Sequence, residues 1–170
     1  MNKSINLSEI LDEAMSAFAG ENYAQSIRLL TEVLAHDPRH GLAMSARGAA
    51  FFKMNNLNAA LADFNRTIEL SPGHARAYHL RGLVREKLAD DRGALSDFNS
   101  ALALDPEYGA AYYSRANLYG KMGRSEDASE DMQMVTMLSA RNTESLAGSA
   151  NVWRTHHMRV EEMMETELNR

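Results

Sequence analysis

Apolar and small residues along this chain recur at steps of three and four, in stretches about a dozen residues long. Met44, Gly48 and Phe51 lie on one helix face by this spacing. The polar run "MNNLN" at 54–58 then interrupts the pattern, and a second stretch carries Leu57, Ala60, Leu61, Phe64 and Ile68. The triplet "SPG" at 71–73 stops it, because proline cannot continue a helix and biases the residue before it away from helical geometry. The spacing therefore predicts two helices joined by a short turn, and the same alternation of stretch and break recurs along the chain.

The recurrence has a fixed period. "DFNRTIELSP" at 63–72 returns as "DFNSALALDP" at 97–106. Pro38, Pro72 and Pro106 are the chain's three prolines and are spaced by 34. Ala14, Gly48, Gly82, Ala116 and Ala150 form one column of tiny residues; Ser26, Ala60, Ala94 and Ala128 form another. Ile10, Met44, Tyr78, Tyr112 and Leu146 form a large column, as do Leu30, Phe64, Phe98 and Met132. Residues 41–74 and 75–108 share 11 identities in 34 without a gap, where about two would arise by chance, so this is a true internal repeat. A helix pair of this length cannot bury its apolar face alone, and stacked copies can. The tiny columns fit close helix crossings, with the large residue of the neighbouring helix beside them.

These residues resemble the tetratricopeptide repeat family, whose pattern is a large aromatic, Leu-Gly, an aromatic, a later Ala, an aromatic and Pro. "YHLRG" at 78–82 and "YYSRA" at 112–116 match its first part; "ALADF" at 60–64 and "ALSDF" at 94–98, each followed by the repeated proline, match the rest. The resemblance implies an all-α fold, a right-handed superhelical solenoid of antiparallel helix pairs with period 34. It gives a short tail at 1–6, units at 7–40, 41–74, 75–108 and 109–140, and a carboxy-terminal capping helix over 141–170. Asn6 with Glu9 makes a capping box for the first helix. In the first unit Glu13 and Ala17 stand in the usual Leu and aromatic columns, and Ala140 replaces proline in the fourth. Terminal units of a stack commonly diverge in this way.

The usual Leu is an arginine in three units, Arg47, Arg81 and Arg115, and Asp63, Asp97 and Asp131 follow at a constant offset. An arginine entering a layer between helices needs a fork partner, and a carboxylate supplies one bidentately. The pattern predicts a structural Arg–Asp ladder; a ligand contact by the same arginines is the second reading. Arg85 replaces the second aromatic of the third unit.

Composition narrows the function. Net charge is −5, which argues against nucleic-acid binding. Cysteine is absent, which removes disulfides, thiol nucleophiles and thiolate zinc sites. No stretch reaches the ~18 consecutive apolar residues of a membrane span, and the start does not read as a secretory signal; the expectation is a cytoplasmic protein. No zinc-protease HExxH, GxSxG elbow or phosphate-cradling glycine loop occurs. His156, His157 and Glu161 are too few and too loosely spaced for a metal site. No enzyme, metal or cofactor is expected.

By the family resemblance, the first helix of each unit lines a concave groove. The groove side chains would be Leu11, Met15 and Phe18, then Leu42, Phe52 and Lys53, then Arg76, His79, Leu83 and Lys87, then Tyr113, Asn117 and Lys121. Lys53, Lys87 and Lys121 keep the period and read either as cations at helix carboxy-termini or as a basic rail for an acidic segment. Co-chaperone members hold a terminal carboxylate with a Lys-Asn-Asn-Lys-Arg clamp. The matching positions here are Leu11, Met15, Ala46, Arg76 and Leu80, or one unit later Ser45, Ala49, Leu80, Ala110 and Ser114. Only Arg76 fits, so a ligand would be read differently. The expected function is a non-enzymatic scaffold that binds a peptide or helix of another protein, acidic or apolar in character. The alternatives are a homo-oligomer or dimer formed through the carboxy-terminal helix, where Met158, Val160, Met163, Met164 and Leu168 recur, and a small chaperone for a client protein.

Overall fold

A computed structural model describes residues 6–148 of the chain, with side chains placed through Arg141. The described residues form eight helices in antiparallel pairs, without a strand. In order they are α1 (Leu7–Ala19), α2 (Tyr23–His36), α3 (Gly41–Lys53), α4 (Leu57–Leu70), α5 (Ala75–Lys87), α6 (Asp91–Leu104), α7 (Gly109–Lys121) and α8 (Ser125–Gly148). They fall into two compact units, one through Pro72 and the other from Gly73 on.

The 34-residue period governs the caps as well as the helices. Asn22, Asn56 and Asp90 cap α2, α4 and α6, each side chain accepting from a backbone N–H in the first turn. His40 and His74 cap α3 and α5 through Nδ1, which accepts from Ala43 and Ala77. The turn inside each pair needs one left-handed residue, and Glu21, Asn55, Ala89 and Gly123 fill that position with φ of 59°, 58°, 60° and 76°. Only the last is glycine, so this turn is not announced by glycine in the sequence.

In the first unit α1 packs on α2, α2 on α3 and α3 on α4. Gly48 lets α3 meet α4: a Cβ there would lie 3.0 Å from the Phe64 ring. The second unit repeats the arrangement with α5 on α6, α6 on α7 and α7 on α8. A Cβ on Gly82 would lie 2.5 Å from the Phe98 ring, a distance no real contact tolerates. Phe98 and Ala94 of α6 are buried with Leu118 of α7, while Ala101 and Leu102 meet Ala111 beside Tyr78, Tyr108 and Tyr112. Within each unit the inner second helix, α2 or α6, is thus shared between its own pair and the first helix that follows it.

The repeated arginines lie in the same layer. Arg47 Nε and Nη2 donate to the two carboxylate oxygens of Asp63 at 2.9 and 2.8 Å. Arg81 donates to Asp97 at 2.9 and 2.6 Å, and Arg115 to Asp131 at 2.8 and 2.7 Å. The third nitrogen reaches backwards: Arg47 Nη1 donates to Thr31 Oγ1 of α2 at 3.2 Å, and Arg115 Nη1 to Asn99 Oδ1 of α6 at 2.7 Å. Aromatic faces complete the setting. Arg81 lies over Tyr78 at 5.4 Å, and Arg115 over Tyr112 and Tyr119 at 5.5 and 5.8 Å. The carboxylate hydrogen bond raises the pKa of Arg47 and of Arg115 further, against the opposing effect of burial. Asp97 also receives Arg85 Nη1 at 2.8 Å, and the same nitrogen donates to the Gly93 carbonyl at 3.3 Å. Where an aromatic is usual, α5 is therefore tied to α6 by charge.

The boundary expected at 140 is not a helix end. Pro38, Pro72 and Pro106 follow the ends of α2, α4 and α6, whereas Ala140 permits α8 to run on to Gly148. The remainder of the expected capping helix, with Val160, Met164 and Leu168, lies outside the described residues, as do His156, His157 and Glu161.

Asp97 satisfies two guanidinium groups and Asp63 satisfies one. Asp97→Ala is therefore expected to lower unfolding free energy by about 3 kcal/mol, and Asp63→Ala by less. Urea unfolding of both variants checks this; equal losses would show that Arg85 contributes nothing.

Candidate interaction surface

The thirteen side chains expected to line a groove are sorted by burial. In the first unit Leu11 and Phe52 are 8% exposed, Met15 2% and Phe18 0%. These four are interior side chains. Phe18 meets Tyr23 edge to face at 5.3 Å. Leu42 and Lys53 are half-buried. The apolar half of the expected groove is therefore not an open surface.

The second unit differs. On α5, His79 is buried, Arg76 and Leu83 are half-buried and Lys87 is exposed. On α7, Tyr113 and Asn117 are exposed one turn apart, while Ala111, Ser114, Ala116 and Leu118 hold the opposite side in the core. The two helices touch. This leaves a strip with an aromatic ring and a carboxamide on one helix, and an apolar side chain between two cations on the other.

His79 joins these helices and is not available to a ligand. Its Nδ1 is 3.0 Å from Tyr108 Oη and its Nε2 is 2.9 Å from Ser114 Oγ. The ring also meets Tyr108 edge to face at 5.1 Å. Burial, aided by nearby Arg76, lowers its pKa to about 3, so the imidazole is neutral near pH 7. A neutral imidazole with one donor and one acceptor nitrogen matches two hydroxyls that can each do either.

Lys121 does not stand as part of a bare basic rail. Its ammonium lies 3.0 Å from Asp91 Oδ1 and 4.0 Å from Glu86 Oε1. The Asp91 hydrogen bond raises the Lys121 pKa, and desolvation raises that of Glu86. Lys53, Arg76 and Lys87 have contacts of their own as well. Lys121 thus carries less uncompensated charge than its place in the period suggests. Among the described residues no three His, Asp or Glu side chains gather as metal ligands, and no helix is long and apolar enough to cross a membrane.

Sequence comparison fits this geometry. A model described as "Tetratricopeptide repeat" matches residues 11–75 and 45–108, and a second model of the same description matches 98–128. The chain belongs to the tetratricopeptide repeat family. No curated protein is similar enough in sequence to count as a relative. Among solved structures, MamA 41-end from Desulfovibrio magneticus RS-1 is 20% identical with a TM-score of 0.72, over 80% of this chain and 77% of that one. The first tetratricopeptide domain of Spaghetti (RPAP3), solved with the HSP90 peptide SRMEEVD, is 21% identical with a TM-score of 0.66, over 69% and 93%. The Arabidopsis OM64 domain is 23% identical with a TM-score of 0.63, over 66% and 93%. At these identities the likeness is one of fold.

Tyr108, Thr31 and Asn99 were not singled out by their sequence positions, and Ser114 was named only as a clamp position that it does not fit. Thr31 and Asn99 stand sixteen residues before Arg47 and Arg115, as Asp63 and Asp131 stand sixteen after. That symmetric offset was a readable signal.

The depressed pKa of His79 has a consequence in solution. The unfolded chain takes up this proton below about pH 6.5, while the folded chain resists it down to about pH 3. The His79 contribution is therefore full above pH 6.5 and is lost as pH falls, at up to about 1.4 kcal/mol per pH unit. His79→Gln is expected to flatten the decline in unfolding free energy between pH 6.5 and pH 4.5. An unchanged slope would show that His79 titrates normally in the fold.

Proposed function

We propose that this protein is a non-enzymatic interaction scaffold that holds a segment of another protein against the first helices of its repeats. The working strip is the one on α5 and α7. The observation that carries this reading is Tyr113, which remains 46% exposed on a helix whose other face is core. An exposed aromatic ring offers large contact area at low conformational cost, and Asn117 one turn on supplies a directional hydrogen bond. Leu83 and Lys87 on α5 extend the strip.

The chemistry favours an apolar segment with polar edges over a strongly acidic one. Lys121 is already compensated by Asp91 and Glu86, so a carboxylate would compete with existing partners. The peptide in the RPAP3 structure ends in Glu-Glu-Val-Asp. A clamp for such an end finds Leu11, Met15, Ala46 and Leu80 at four of its five positions here. The occupant is expected to be an internal stretch that places an apolar side chain on Tyr113.

Affinity capture from the source lysate tests this. The bait is wild type beside Tyr113→Ala with Asn117→Ala, both matched for thermal unfolding. Proteins retained by wild type and lost by the variant, by tenfold or more, are expected. Identical retention would remove the strip as the working surface.

A further inference from the structure

We infer that the carboxy-terminal segment 149–170 lies over the apolar face of α1 and α3 in the same molecule and closes the amino-terminal half of the expected groove. Two columns of the repeat run along that groove and supply their own comparison. Met15, Ala49, Leu83 and Asn117 form one, and Phe18, Phe52, Glu86 and Gly120 the other. The first two members of each column are buried, Leu83 and Glu86 are half-buried, and Asn117 and Gly120 are exposed. Neighbouring helices do not account for the step between α1 and α5. Among the described residues of each unit, α1 meets its partner α2 and the next first helix α3, and α5 meets its partner α6 and the next first helix α7. The same surroundings leave both columns half-open on α5 and close them on α1, so the α1 face carries a cover that the α5 face lacks.

The chain holds a segment that suits this face. Residues 149–170 follow α8. Trp153, Val160, Met164 and Leu168 recur there at steps of seven, four and four, which is one helix face. A helix from Trp153 to Leu168 would be about 22 Å long and α1 is about 20 Å long, so one pass of the segment covers α1 from end to end. The face beneath it is apolar in kind, with Leu11, Met15 and Phe18 on α1 and Phe52 on α3.

Charge agrees with this placement. Lys121 of α7 takes its carboxylates from Glu86 and Asp91. Two units earlier in the same columns, Lys53 ends α3, and the positions of Glu86 and Asp91 hold Phe18 and Tyr23, which pack ring against ring at 5.3 Å. At Lys53 the repeat thus supplies aromatic surface where it supplies acid at Lys121. The segment offers both complements, an apolar ridge for the rings and Glu161, Glu162 and Glu165 beside that ridge for the cation. The cover closes the apolar half and leaves the strip on α5 and α7 to a partner, so the inference stands apart from the function proposed for that strip.

Native methionines report on the cover, because added hydrogen peroxide converts an accessible thioether to the sulfoxide and spares a buried one. Met15 lies under the inferred cover, Met44 is buried in a column outside the groove, and Met54 and Met122 are exposed. Peptide mass spectrometry of the full chain is expected to show Met54 and Met122 oxidising first. Val160→Asp with Met164→Asp should raise the Met15 rate by about tenfold or more while Met44 stays slow. Protection of Met15 in wild type should stay constant over about a hundredfold range of protein concentration. Tyr113→Ala with Asn117→Ala should leave Met15 protected. An unchanged Met15 rate in the Asp variant would overturn the inference, because α1 to α4 would then bury the face themselves. Met15 and Met44 rising together would overturn it too, since the segment would then hold the fold rather than cover the groove. So would protection that grows with concentration, the mark of a second copy.

Discussion

A guanidinium held between two helices has to place its nitrogens on partners in its own layer, and much of this structure is arranged around that requirement. Arg47, Arg81 and Arg115 each give two nitrogens to an aspartate on the second helix of their own repeat. Arg47 and Arg115 give another to the second helix of the repeat before. One side chain thereby joins three helices. The fork is directional, so it fixes the rotation of those helices as well as their separation. Leucine at the same position would supply contact area without that restriction.

The apolar layer obeys the same geometry. Gly48 and Gly82 let α3 and α5 come within ring contact of Phe64 and Phe98, and the arginine fork lies one residue before each of those glycines and rings. Polar and apolar contacts therefore recur in one crossing. A repeat protein is approximately a series of units and nearest-neighbour interfaces, and here the arginine contributes to both kinds of term.

The sequence made the helix pairs, the period and the Arg and Asp columns readable, because each repeats and identical positions meet identical surroundings. The interaction surface was less readable, because burial depends on what packs over a position rather than on its place in the repeat. Phe52 and Tyr113 both read as groove aromatics, yet one is interior and the other open. Lys121 read as one of three periodic cations, while the carboxylate that engages it, Asp91, comes from thirty residues earlier and is not periodic with it. The left-handed turns were hidden because Glu21, Asn55 and Ala89 carry them without glycine. The continuation of α8 followed from a departure that was visible, alanine in place of proline at 140.

Arg115 couples α6, α7 and α8 as one unit. A double-mutant cycle between Asn99→Ala and Asp131→Ala measures it most directly, because both residues act through that guanidinium. A coupling of about 1 kcal/mol is expected in wild type and disappears in an Arg115→Leu background. Additive losses, within about 0.3 kcal/mol, would contradict it and leave the arginine as three separate contacts.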